Sequence, residues 1–242
     1  MLTWTRTRTT TLLAVGALAL GGCATTDADP AATSAAPTAD PTTPAAPAPT
    51  TPAPGAGDVA ADLPPEVLLP DSAWDADPAQ RQESAGVVDW RFPTSCDAGA
   101  PDTATAMRTV SQGDGAAEAT IGVQQVAVFA DADAAVAEAD RIVAALTACT
   151  TYASDTSTTY VVEPLDVGAQ GTGLATDYYG SSASAPLDEA IGSYLAVTRR
   201  GTAVTLVGSE GGESVVGTAR VDATAQAQAA WDLLCRYDEA GC

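Results

Sequence analysis

The sequence predicts an α+β domain, an antiparallel sheet with helices packed on one face, preceded by a signal peptide and a disordered linker. Three observations carry that expectation. Residues 11–20 (TLLAVGALAL) form a short apolar run that ends at Gly21-Gly22-Cys23. Residues 24–61 are almost wholly Ala, Thr, Pro, Asp and Gly. Beyond them, β-branched runs alternate with two alanine-rich stretches of helical period.

The leader carries Arg6 and Arg8 and no acid. Its apolar core falls well short of the roughly 20 residues that span a bilayer, so residues 1–22 read as a signal peptide rather than a membrane helix. Leu20-Gly21-Gly22-Cys23 resembles the bacterial lipobox. The resemblance implies cleavage before Cys23 and acylation of its thiol, diacylglycerol and palmitate included. With each buried methylene contributing about 0.8 kcal/mol, two or three chains hold a protein to the membrane. Residues 23–61 lack the apolar side chains to form a core, and their prolines favour extended conformations of about 3 Å per residue. They read as a linker that lifts the next segment off the lipid.

Residues 62–242 suit one domain. Pro64–Pro70 is an apolar, proline-bounded lead-in expected to lie extended against it. Val87–Phe92 (VVDWRF) reads as a short strand. Ala119–Phe129 is a strand whose Ile121, Val123, Val126, Val128 and Phe129 cover both faces. Ala132–Ala148 is a helix capped by Asp131 or Asp133, with Val136, Ala139, Val143 and Leu146 as its apolar stripe. Tyr160–Val162, Leu174–Tyr179, Ser193–Thr198 and Thr202–Val207 are further strands, the last two joined by a hairpin at Arg199-Arg200-Gly201. Asp222–Tyr237 is a second helix with Ala227, Trp231 and Leu234 on one side. Gly168–Gly173 and Gly208–Gly217 read as mobile loops that would rim a cleft.

Charge and composition exclude whole classes of function. The chain of 242 residues carries 10 Lys plus Arg against 31 Asp plus Glu, a net charge of −21, with no histidine. All the cations are arginine. Ten scattered arginines do not make the basic patch that nucleic acid requires, so nucleic acid is excluded as a partner. Without histidine there is no Ser-His-Asp or Cys-His hydrolase and no histidine-based metal centre.

With Cys23 acylated, Cys96, Cys149, Cys235 and Cys242 remain, an even number in an exported chain, which reads as two disulfides. Three pairings are open. Cys96 with Cys149 and Cys235 with Cys242 is preferred, because the second pair would staple the turn after the last helix. No C-x-x-C spacing supports a thiolate metal site.

The acids have ordinary roles. Asp71, Asp75 and Asp77 lack the register of a calcium loop and read as solvated. Asp131, Asp133, Glu138 and Asp140 read as capping and solubilising residues at the start and outer face of a helix. A pair of carboxylates would suffice for glycoside hydrolysis, but aromatic residues are only 5% of the chain. No catalytic residue, cofactor or metal is assigned. Tyr178, Tyr179 and Trp74 are the candidate ligand contacts. Arg199 and Arg200, at a hairpin tip, are candidates for gripping an acidic group on a partner. Trp90 and Trp231 read as core.

The order of Leu68-Leu69-Pro70, the Trp90 strand, Ser95-Cys96, and the run Val126 to Ala135 leading through a helix to Ala148-Cys149 resembles the PknH-like extracellular sensor domain. That domain occurs on actinobacterial receptor Ser/Thr kinases and on lipoproteins. The resemblance spans roughly residues 63–237 and implies a cleft between a curved antiparallel sheet and helices, two disulfides and no catalysis. The pattern departs at Leu195, where family members carry a cysteine in a strand. The resulting expectation is a non-catalytic, lipid-anchored sensor or ligand-binding domain on the extracytoplasmic face of the cell membrane. Its partners would be the membrane, through the anchor, and an unknown small or envelope-derived ligand or envelope protein. A structural or interaction lipoprotein without a small-molecule site is the alternative, and a carboxylate-dependent hydrolase a further one.

Overall fold

Seven strands form one sheet in the order β1-β2-β3-β7-β6-β5-β4, every neighbouring pair antiparallel. They are β1 (Gln82–Ala85), β2 (Ala104–Gln112), β3 (Ile121–Phe129), β4 (Thr159–Pro164), β5 (Ala169–Asp177), β6 (Gly192–Arg200) and β7 (Ala203–Glu210). Helix α1 (Ala132–Cys149) links β3 at the sheet's interior to β4 at its far edge, and α2 (Val216–Leu233) follows β7. The computed structural model describes residues 63–116, 119–149 and 157–242. The leader, Cys23 and the linker lie outside the described residues. No helix among the described residues is long and apolar enough to cross a membrane.

The expected antiparallel α+β class is present, but the helices do not share a face. Side chains alternate across a strand, and in β6 Leu195 and Val197 pack with Ala135, Ile142 and Leu146 of α1. Tyr194 and Ala196 pack with Ala219, Ala223, Ala227 and Ala230 of α2. The reason is visible in the strands themselves. Seven of the nine residues of β6 are buried, as are eight of the nine in β3, and a sheet that is apolar on both faces needs cover on both.

Several elements differ from expectation. Val87–Phe92 is not a strand. It is an extended segment captured by a side chain: Gln125 Nε2 donates to the Asp89 carbonyl at 3.0 Å, and the Arg91 amide donates to Gln125 Oε1 at 2.6 Å. Trp90 is buried there, while Val87 and Val88 are exposed. The strands of this region are instead β1, wholly exposed, and β2, whose small and polar residues (ATAMRTVSQ) give a weak alternation. Gly168–Gly173 is not a loop: Gly168 closes the bend before β5, and Ala169–Gly173 are its first five residues. A Cβ at Gly173 would overlap the Tyr194 hydroxyl, so glycine here makes room for a buried phenol. Gly208–Gly217 comprises the end of β7, a loop over residues 211–215 that borders a cleft, and the first residues of α2.

Helix α2 starts six residues before the expected Asp222. Its N-cap residue is Val215, which offers no side-chain acceptor, so the usual start signal is missing. It stops at Leu233, and Cys235–Tyr237 is a separate 3-10 turn. In α1 the buried stripe is Ala135, Glu138, Ala139, Ile142, Leu146 and Cys149. Expected members Val136 and Val143 are only half-buried, and Ile142 and Cys149 take the buried positions beside Leu146.

Both preferred disulfides are present. Cys96 is bonded to Cys149 with Cα atoms 4.9 Å apart, and Cys235 to Cys242 with Cα atoms 4.8 Å apart. Lead-in residues Leu63, Val67, Leu68 and Leu69 are buried on the α2 side of the sheet. Gln124 holds them, accepting from the Leu69 amide at 2.7 Å and donating to the Val67 carbonyl at 3.2 Å.

Candidate functional site

On the α2 face, small residues stand side by side on three adjacent strands. Gly122 of β3 is directly across from Ser209 of β7, and Gly192 lies at the start of β6. With almost no side-chain volume there, the sheet, the first half of α2 and the segment Ser72–Ala76 enclose a cleft of about 340 Å³. Trp74 forms part of its wall. The indole lies over Gly122, where a Cβ would overlap the ring, and the residue is 7% exposed.

Two glutamines fix the wall. Gln112 Nε2 donates to the carbonyls of Asp71 (3.1 Å) and Ala76 (2.7 Å), clasping both ends of the segment. From α2, Gln226 Nε2 donates to the Ala73 carbonyl at 2.8 Å. After these bonds, two buried atoms of lining residues, Trp74 Nε1 and Gln226 Oε1, have no partner within the protein, nor has Gln112 Oε1 outside the lining. Buried polar atoms are nearly always paired, so these single out the segment. Two carboxylates, Asp75 and Asp222, line the cleft and are exposed, and no arginine lines it. The remaining lining is largely hydroxyl and alanine.

Of the residues singled out in the sequence, Trp74 belongs to this cleft. Tyr178 touches its rim indirectly, its hydroxyl accepting from the amide of the lining residue Gly211 at 3.0 Å. Tyr179 stands 66% exposed outside it. Beneath these tyrosines the buried Asp177 accepts from the amides of Tyr179 (3.1 Å) and Ser182 (2.8 Å) and from the Ser181 hydroxyl (3.3 Å). Burial works against its charge, but these bonds outweigh it and hold the carboxyl below its ordinary range.

Arg199 and Arg200 sit at the other end of β6, and neither is a free hairpin tip. Arg199 donates to Gln170 Oε1 (2.7 Å) and to the Gly201 carbonyl (2.9 Å). The Arg200 guanidinium lies 3.9 Å over the Trp231 ring, pairs with Asp238 at 3.4 Å and donates to the Trp231 carbonyl. A shallow depression of about 370 Å³ beside them has its cations already engaged.

The acids also sort differently. Asp71 pairs with Arg81 at 3.1 Å, and Asp77 caps a 3-10 turn through the Ala79 amide. Asp131 caps α1 through the Ala134 amide at 2.8 Å. Glu138, expected on the outer face, is buried at 5% exposure. It accepts from Trp90 Nε1 at 2.6 Å and pairs with Arg141, whose pKa the Glu138 hydrogen bond raises. The acid is drawn inward because the buried indole N–H needs an acceptor. On α2, Arg220 joins Glu163 and Asp188, and Tyr194 donates to Glu163 at 2.8 Å. Burial first, then Glu163, pushes the Tyr194 phenol far up. That cluster is internally paired and braces α2 against β4. Among the described residues no group of three metal-type ligands gathers.

The glutamines of the wall escaped the sequence reading. Gln112 and Gln226 look locally like ordinary polar residues of a strand end and a helix, and their role depends on partners far away in the chain.

No protein-family model matches the chain, and no curated protein matches it. Among solved structures, the chain is similar to the extracellular domain of PknH from Mycobacterium tuberculosis, with 13% identity and a TM-score of 0.46, covering 69% of this chain and 93% of that one. This is a distant structural likeness.

Proposed function

We propose that the chain is a lipid-anchored, extracytoplasmic, non-catalytic ligand-binding domain of sensor type, whose ligand enters the cleft beside Trp74. The observation that carries this reading is a cleft of about 340 Å³ with a buried, unpartnered indole N–H in its wall, of a size at the lower end of small-molecule sites. The leader and the lipobox-like Leu20 to Cys23 support export and anchoring. Two disulfides agree with an oxidising compartment. The ligand carries both polar and apolar surface, since hydroxyls and carboxylates line the site together with alanines and Trp74. Partners are the membrane, through Cys23, and the occupant of the cleft.

A second reading, an interaction lipoprotein, draws on the exposed Tyr179, Ile191 and Val215. Ile191 and Val215 form a bridge beside the cleft, and the Tyr178 amide bonds to Ile191. Native mass spectrometry of the full-length chain purified from its own membrane separates the two. A retained small molecule, lost in Trp74→Phe, supports the first reading; a protein partner with no small molecule supports the second. Radiolabelled palmitate should enter the wild type and not Cys23→Ala. Failure to label the wild type removes the anchor from the proposal.

A further inference from the structure

Given that the cleft beside Trp74 is the binding site, its solvent-accessible charges narrow the occupant. Asp75, from the Ser72–Ala76 segment, and Asp222, from α2, both line the cleft and are exposed. None of the ion pairs among the described residues uses either of them, and no arginine lines the cleft. The two charges are therefore unanswered on a chain of net charge −21. A concave site with low-dielectric walls concentrates the field of such charges, so it draws in a cation and repels an anion. No group of three metal-type ligands gathers among the described residues, so the cation that fits is an ammonium or guanidinium rather than a metal ion.

The cleft continues into an apolar strip. Ile191 and Val215 form a bridge and are exposed, and their chain neighbours Gly192 and Ser214 line the cleft. Adjacent exposed aliphatic side chains among polar groups mark a contact surface. Two more exposed acids, Glu189 and Glu213, stand two residues before them and are likewise outside the ion pairs. A polyamine would answer the acids and leave the strip uncovered; an alkyl chain would do the reverse. Two side chains beside a cleft of about 340 Å³ contact a few residues, not the roughly 20 to 30 per side of a stable protein interface. We propose that the cleft binds a short cationic peptide. A lysine or arginine side chain enters and pairs with Asp75 and Asp222, while an aliphatic neighbour covers Ile191 and Val215.

The test follows the amide resonances of the lining residues Gly192 and Gly211 in the ¹⁵N-labelled full-length protein in non-ionic detergent micelles. Probes are the acetylated, amidated tripeptides Val-Lys-Val and Val-Arg-Val, the neutral Val-Gln-Val, the non-aliphatic Gly-Lys-Gly, and spermidine. The first two are expected to move the resonances saturably, and less tightly as salt rises. Val-Gln-Val is expected to bind roughly tenfold more weakly. Asp222→Asn should weaken Val-Lys-Val roughly three- to fivefold, the effect of one exposed ion pair. Asp133→Asn, on α1 at the opposite face, is the charge-matched control and should change nothing. Val215→Ser should weaken binding by a similar factor with the thermal midpoint held or raised, because serine supplies the capping acceptor that Val215 lacks. If Val-Gln-Val binds as well as Val-Lys-Val, or Asp133→Asn weakens binding as much as Asp222→Asn, the cationic assignment is overturned. If spermidine binds as tightly as the tripeptides and Val215→Ser has no effect, the peptide assignment is overturned while the cleft survives as a site. If no probe moves the resonances, the peptide assignment falls; the binding reading falls with it only if the protein from its own membrane also retains nothing.

Discussion

The two faces of the sheet are built on opposite plans. Beneath α1, large side chains meet: Phe129, Ile142, Leu146, Leu174, Leu195 and Leu206 form one cluster, sealed by the Cys96–Cys149 bond at its rim. Its buried polar group, Glu138, has its hydrogen bonds filled by Trp90 and Arg141. Beneath α2 the contact is made by Ala219, Ala223, Ala227 and Ala230, so helix and sheet approach closely. Where Gly122, Gly192 and Ser209 follow, the Trp74 indole lies over Gly122 and the space beside it stays open as the cleft. The comparison teaches that one face carries the stability while the other, packed with small residues, leaves room for a polar cleft with unfilled hydrogen-bonding atoms.

Breaking the α1 face should cost most. Cys96 and Cys149 are separated by 53 residues and Cys235 and Cys242 by 7. In the chain-entropy account, replacing the first pair by serine lowers stability by about 4 kcal/mol and the second by about 2 kcal/mol. Urea unfolding under oxidising conditions reads both, and equal losses would contradict the comparison. Next, Leu146→Ala beneath α1 is expected to cost about 3 kcal/mol through its cavity. Ala227→Gly beneath α2 should cost about 1 kcal/mol, chiefly through helix propensity.

A third change probes the turn beside the cleft. Because the folded state holds Asp177 below its ordinary value, its contribution is full above the unfolded value and lost as pH falls through the lowered one. Unfolding curves across the acid range should show Asp177→Asn losing less stability on acidification than the wild type. A steeper loss in the variant would reverse the assignment. Smallest of all, Ser209→Ala on the cleft floor should leave stability within about 0.5 kcal/mol. A larger loss would make the floor part of the core rather than of a site.

Much of the fold was legible because it is written locally. The Asp131 cap, the β6–β7 hairpin at Gly201, and the strands β3, β4, β6 and β7 follow from residues next to one another in the chain. β2 was missed because its burial alternates only weakly, and Val87–Phe92 was misread because its apolar residues are anchored by Gln125 rather than by a ladder. Glu138 was misplaced because its partner, Trp90, lies 48 residues away. Of the site, Trp74 was legible as an aromatic in a polar segment, and the glycine-rich Gly208–Gly217 as a rim, since Ser209, Gly211 and Ser214 line the cleft. Gly122, Gly192 and Gln226 carry no signature by themselves.

By itself the sequence determined the acidic balance, the strands and helices from β3 onward, and the preferred cysteine pairing. These rest on composition, periodicity and short-range chemistry, which a chain expresses before it folds. Only the tertiary structure decided which face each helix covers, which acid goes inward, and where the cleft opens. Those outcomes depend on groups brought together from Ser72 to Gln226, and steric fit and hydrogen-bond pairing between them exist only once the sheet has closed the distance.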